Sequence, residues 1–194
     1  MKTFLAGEGA TELSDWVNPP HYRKQPVRMG CLESLLRSTV SKDWEICGAV
    51  QWKNIRRYRA RSPLSADARN LAAAALDAAE ANCDSLVFAR DQDGDIERHA
   101  ALEDGIAEAN SKFLAIKVAG GLAVRSIEAW VLAGKGDLHP ESTTDTKERL
   151  RKNHGVETLA QKANCLGEAE LANVPEDAQS PYSWVRRIQA LFHE

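Results

Sequence analysis

Hydrophobic and polar positions change period several times along this chain, and the changes mark out its elements. Lys2 to Ala6 (KTFLA) is a short apolar run of strand length, and Thr11 to Trp16 starts a helix that Thr11 can cap, with Glu12 in its first turn. Residues 17–26 hold three prolines and read as a long exposed loop. A short helix is expected over Glu33 to Thr39 and a second strand over Ile46 to Trp52 (ICGAVQW). The alanine-rich stretch from Ser65 to Asn82 predicts a helix capped by Ser65. Ser85 to Ala89 (SLVFA) reads as a buried strand, Glu97 to Asn110 as a helix, and Phe113 to Val118 as a strand broken by Gly120-Gly121. Val124 to Ala133 is helical, and from Gly134 onward the pattern is helical and polar, with a last helix from Tyr182 to Phe192.

Strands and helices thus alternate over the first two-thirds. That order predicts an α/β fold, a mostly parallel sheet with helices on both faces, over residues 1–134. Residues 135–194 form a helical C-terminal extension packed on it. In such sheets functional residues gather at the carboxyl ends of strands.

Composition narrows the partners. The 194 residues carry a formal net charge of −3, so any nucleic-acid contact needs a local basic patch. Cys31, Cys47, Cys83 and Cys165 are widely spaced without a CxxC pair, which argues against a zinc ribbon or a disulfide scaffold and suits a reducing cytoplasm. No apolar run reaches membrane-spanning length, and no signal peptide is visible. The five histidines lack metal-ligand spacing.

The carboxylates carry the chemistry. Glu8 stands between Gly7 and Gly9 just after the first strand, with Glu12 four residues on. Asp91 and Asp93 follow the Ser85–Ala89 run, and Asp95 lies two residues beyond. A strand-to-helix turn with glycines often cradles phosphate, and a glutamate there repels phosphate unless a cation lies between them. Oxygen ligands of this kind suit magnesium. DQDGDIERHAAL is not an EF-hand loop, because Gly94 stands fourth and Leu102 twelfth. An ordinary surface turn is the competing reading of DQDGD, since Asp favours turns.

Three further stretches complete a pattern: Ser126-Ile127-Glu128-Ala129-Trp130-Val131-Leu132-Ala133, Lys147-Glu148-Arg149-Leu150, and Ser180-Pro181-Tyr182-Ser183-Trp184. Together with GEGATE and DQD they resemble a group of small bacterial Toprim-like proteins of unassigned function, related to the Toprim domain of OLD-family nucleases. The resemblance spans nearly the whole chain. It departs at Gly7, where an apolar residue is typical, and at Gly134, where related chains often carry Asp. It implies a Toprim-like fold and phosphodiester chemistry on DNA or RNA. By it Glu8, Glu12, Asp91 and Asp93 would ligate Mg or Mn, Glu12 supporting a second ion, and Glu8 and Asp91 would be catalytic. It also implies a separately supplied ABC/OLD-like ATPase, since the chain lacks GxxxxGK[ST], and a role in phage defence.

Other residues keep two readings. Lys117 ends a strand on the expected active edge, where it meets a scissile phosphate or snorkels to solvent. Glu128 points into the site or faces solvent, and Asp95 is a second supporting acid. Arg90 balances the acids. Arg56, Arg57, Tyr58, Arg59 and Arg61 form the most basic patch, suited to phosphate contact and base stacking or simply solvated. His21, Tyr22, Arg23 and Lys24 are a weaker second candidate. Trp130 and Trp184 read as core or partner-contact residues. The competing functions are a non-catalytic Toprim-fold binding or regulatory subunit, and a phosphatase-like enzyme with Asp91 as nucleophile. A homo-oligomer stays open.

Overall fold

The computed structural model describes residues 1–17, 28–59, 63–169 and 174–193. Arg61 and the basic stretch from His21 to Lys24 lie outside the described residues.

Four strands, β1 (Lys2–Gly7), β2 (Glu45–Gln51), β3 (Ser85–Asp91) and β4 (Lys117–Ala123), form one sheet in the order β2-β1-β3-β4. Every pairing is parallel. The helices are α1 (Ala10–Leu13), α2 (Cys31–Thr39), α3 (Ala66–Glu80), α4 (Arg98–Lys112), α5 (Ile127–Gly134), α6 (Thr146–His154), α7 (Leu159–Glu168) and α8 (Gln179–His193). The α/β reading of the alternation therefore holds, with a sheet parallel throughout.

Side chains alternate across the strands and feed two cores. Phe4, Ala6, Leu86 and Phe88 pack against Leu71, Ala74, Ala75 and Ala78 of α3 and Leu102 and Ala109 of α4. Leu5, Val87 and Ala89 face the other way, onto α1, α2, α5, α7 and α8. Both faces are thus covered, as parallel sheets require. The alanines of α3 allow close approach. At Gly105 of α4 an added Cβ would stand 2.9 Å from the Leu71 Cβ, so glycine sets the α3–α4 spacing.

Two expectations about boundaries change. The strand predicted from Phe113 begins only at Lys117 and runs through Gly120 and Gly121. Helix α4 extends to Lys112 and uses Phe113 as its C-cap, which removes that residue from the strand. Gly120 does not break the strand; it lets the strand approach Phe88, whose carbonyl oxygen would lie 2.2 Å from an added Cβ. Thr11 is not the cap of α1 either: Gly9 is.

Helices α6, α7 and α8 contribute to the core on one face of the sheet. Leu150, Leu166, Trp184, Ile188 and Phe192 belong to the same cluster as Leu5 and Val87. Trp184 donates its Nε1 proton to the Phe88 carbonyl at 2.8 Å, and its ring lies 5.7 Å from that of Trp130.

Cys47 and Cys83 are joined in a disulfide, with Cα atoms 6.2 Å apart, where sequence spacing argued for unpaired thiols. Cys47 is the extra residue of a bulge: Thr3 pairs with Ile46 and Phe4 with Gly48. Spacing along the chain does not reveal such a pairing, because it arises across β1. Cys31 and Cys165 are free and buried.

Candidate functional site

Asp91 is the last residue of β3, and Glu8 follows the last residue of β1, so both stand at the carboxyl edge. Between Asp91, the β4–α5 turn and the start of α6 opens a polar cleft of about 540 Å³. Its lining includes Asp91, Asp93, Arg125, Glu128, Thr146 and Lys147. The backbone at Arg125 is left-handed, with φ 68°, which turns the chain sharply from β4 into α5 at the cleft.

Asp91 is fixed from one side. Its Oδ1 accepts the Ile127 N–H at 2.9 Å, the first amide of α5. Burial, and then the neighbouring carboxylates of Glu12 and Glu128, push its pKa up to about 8. Glu12 is 4% exposed, and its Oε2 accepts the Gly9 N–H at 2.7 Å. Burial raises the Glu12 carboxyl above its usual range. Gly7 is glycine because an added Cβ would meet the Glu12 Cβ at 2.6 Å. The first glycine of GEGATE therefore makes room for a buried acid.

Glu128 is 3% exposed and lines the cleft, so its solvent-facing reading falls. Lys162 of α7 donates to its Oε1 at 2.8 Å, and the Lys147 Nζ stands 3.8 Å from the same oxygen. Burial works to raise the Glu128 pKa, but the Lys162 hydrogen bond with the charges of Lys162 and Lys147 outweighs it and holds this carboxylate below its usual value.

Glu8 is differently engaged. Its Oε1 contacts the Arg90 guanidinium and accepts the Asp91 N–H at 3.2 Å. Arg90 lies over the Trp52 ring at 5.4 Å. Its Nε is 3.5 Å from Asp67 Oδ1, an ion pair without hydrogen-bond geometry, so this buried donor has no hydrogen-bond partner. Burial, followed by the charge of Arg98, lowers the Arg90 pKa.

The DQDGD turn is organised by Arg98. The guanidinium donates to the carbonyls of Asp91 at 2.5 Å and Gln92 at 2.9 Å, and to Asp93 Oδ2 at 3.2 Å. It also meets Asp67 at 2.9 Å and Asp95 at 3.8 Å. The turn has positive φ at Asp93 (50°) and Gly94 (77°), a tight turn that places Asp93 on the lining of the cleft.

Other predicted residues lie elsewhere. Lys117 opens β4 and pairs with Ser85, whereas Asp91 pairs with Ala123. Six residues separate the two levels, roughly 20 Å of strand, so Lys117 is at the amino edge and away from the site. Sequence reading placed it at a strand end because the strand was started four residues too early. In the basic patch, Arg56 is tied to Asp77 at 2.7 Å and Glu80 at 2.8 Å, and the Tyr58 hydroxyl to Glu108 at 3.0 Å. Arg57 and Arg59 are exposed. The patch lies along α3 and α4, not at the cleft.

Sequence reasoning missed Asp67, Arg98, Arg125 and Lys162 at the site. None belongs to a motif, and each reaches it through tertiary folding.

A hard divalent cation fits the cleft in part. Asp91 and Asp93 line it, although Asp91 Oδ1 already accepts the Ile127 N–H and Asp93 Oδ2 is held by Arg98, and magnesium commonly takes one or two carboxylates with water and substrate phosphate. Glu8 would have to give up Arg90 to join them. Among the described residues no three His, Cys, Asp or Glu side chains already stand together as a metal-holding group.

No protein-family model, curated protein or solved structure matches this chain. Among the described residues no helix is long and apolar enough to cross a membrane.

Proposed function

We propose that this protein is a Toprim-like, magnesium- or manganese-dependent phosphodiester hydrolase acting on DNA or RNA. The observation that carries the reading is Asp91: a carboxyl at the carboxyl edge of a parallel sheet, in a polar cleft, crowded by Glu12 and Glu128. Buried acids that crowd one another are costly unless a cation joins them. Such clusters gather at functional sites.

Asp91 and Asp93 would hold the ion. Bound there, it would stabilise charge on the phosphate and lower the pKa of a water. Arg125 and Lys147 on the cleft rim attract the nucleic-acid backbone and orient it by charge. The Ile127 N–H fixes Asp91 Oδ1, so the ion would take its other oxygen. Arg98 holds the turn that carries Asp93.

A second reading, a non-catalytic subunit serving a separate ATPase in phage defence, is favoured by one observation. Glu8, the residue the Toprim resemblance makes a ligand and acid–base group, is bound to Arg90. A cytoplasmic location belongs to both readings. A reducing cytoplasm would hold Cys47 and Cys83 as thiols.

The test incubates wild type and Asp91→Asn with supercoiled plasmid, single-stranded DNA and RNA, with magnesium, manganese or a chelator. Metal-dependent cleavage is expected, reduced at least about 100-fold in Asp91→Asn, since losing even supporting ligands costs 10–100-fold. Cleavage equal in both proteins, or its absence with every substrate and metal, would move the assignment to the non-catalytic subunit.

A further inference from the structure

We infer that a second cavity, beside the cleft on the edge strand β4, receives one unpaired nucleobase of the substrate strand. The inference deepens the phosphodiester reading and rests on it for the identity of the ligand.

The cavity holds about 240 Å³ between β4, α4 and α8. That is below the roughly 300–1,000 Å³ of drug-sized sites, so it takes one small ring system and not a peptide. Leu102, Leu122 and Trp184 give it apolar walls, and Gly121 of β4 forms part of its floor. The fold does not demand glycine at 121. Its φ is not positive, and an added Cβ would meet nothing within 4 Å. Glycine weakens a strand interior, and it often marks a place where a ligand or another backbone approaches closely. A branched side chain would suit the strand better and would project into the cavity. The bare position keeps the cavity open.

The polar groups suit a base better than an anion. Arg187 on the rim is paired with Glu103 at 2.7 Å, and Glu141 accepts the Ser180 N–H at 2.8 Å. Gln92 and Ser183 also line the cavity. An amide and a hydroxyl each donate and accept, which matches the mixed edge of a nucleobase, while apolar walls receive its faces.

The cavity adjoins the cleft. Asp91 and Arg125 line the cleft, and their chain neighbours Gln92 and Val124 line the cavity. Consecutive Cα atoms are about 3.8 Å apart, so a thin wall at the ends of β3 and β4 divides the two spaces. A phosphate at Asp91 and a base in the cavity then belong to one nucleotide. In a duplex that base is stacked and paired, and it must leave the stack to enter.

The test uses the full chain and two probes. Saturation-transfer NMR reads uncharged nucleosides in the presence of a chelator. Fluorescence anisotropy in magnesium compares single-stranded DNA with an abasic oligomer of the same length and charge. Wild type should saturate the base protons and bind the base-bearing strand about 10-fold or more tightly, the worth of one stacked base. Gly121→Val should lose the nucleoside signal and that preference while melting no lower than wild type. If Gly121→Val does not fold, Ser183→Phe, at an exposed position of the lining, carries the same expectation. Equal affinity of wild type for the two oligomers would overturn the inference, and so would a nucleoside signal or a base preference undiminished in the folded variant. Metal-dependent cleavage alongside either result would leave the hydrolase reading standing. Nucleoside binding lost in the variant, without cleavage in any metal, would support the base site and remove the hydrolase reading instead.

Discussion

In cation-free buffer at pH 8, Asp91→Asn is expected to melt at a higher temperature than wild type. The Asp91 carboxyl has an ordinary pKa of 3.8 and a native value of about 8. Between those values the native chain holds a proton that the unfolded chain has released. Stability then falls as pH rises, because the unfolded state binds fewer protons. The loss starts near pH 4 and is complete above pH 8. Each unit corresponds to about 1.36 kcal/mol, which bounds the effect near 5 kcal/mol, and relaxation of the site brings it to about 2–4 kcal/mol. Asparagine keeps the oxygen that accepts the Ile127 N–H and removes the charge that Glu12 and Glu128 oppose. The gain should fade toward pH 4. Thermal melts of both proteins at pH 4, 6 and 8 read it directly. A variant less stable than wild type at pH 8 would show that the carboxylate is not crowded in the native state.

Trp184→Ala should cost about 3–5 kcal/mol, the range for a large buried aromatic. The ring is 1% exposed and packs beside Trp130. Its indole proton goes to the Phe88 carbonyl in the middle of β3, so the change also removes that buried hydrogen bond. For a chain of this length the midpoint should drop by roughly 10 °C or more. Urea melts should keep a single transition, because α8 and the sheet share one core. A small shift, or a separate early transition for the C-terminal segment, would instead make residues 135–194 an independent unit.

How much of this was legible in the sequence depended on whether the controlling contacts were local. The strands around Phe4, Val50 and Val87 and the helix capped by Ser65 follow from period and capping, which act within a few residues. The carboxyl-edge placement of Glu8 and Asp91 follows from where those strands end. The Phe113–Lys117 boundary did not, because α4 kept its last turn by packing Phe113 beside Tyr58, a contact across the fold. That single shift moved Lys117 from the active edge to the opposite one. The partners of the acids were equally hidden. Lys162 stands 34 residues from Glu128, and Glu8 is 83 from Asp91. Motif spacing points to the acids themselves; only the fold shows that Arg90 engages Glu8 and Lys162 engages Glu128.

The central claim is that Asp91 is a cation ligand carrying a proton in the cation-free protein. Binding should therefore release that proton, as it does wherever a ligand must be deprotonated first. Calorimetric titration of Mn²⁺ at pH 7, repeated in buffers of different ionisation enthalpy, counts the protons released. With a native pKa of about 8, close to one proton per ion is expected for wild type, falling toward none at pH 9. Asp91→Asn should show neither tight binding nor release. Binding without proton release at pH 7, or binding undiminished in Asp91→Asn, would contradict the account.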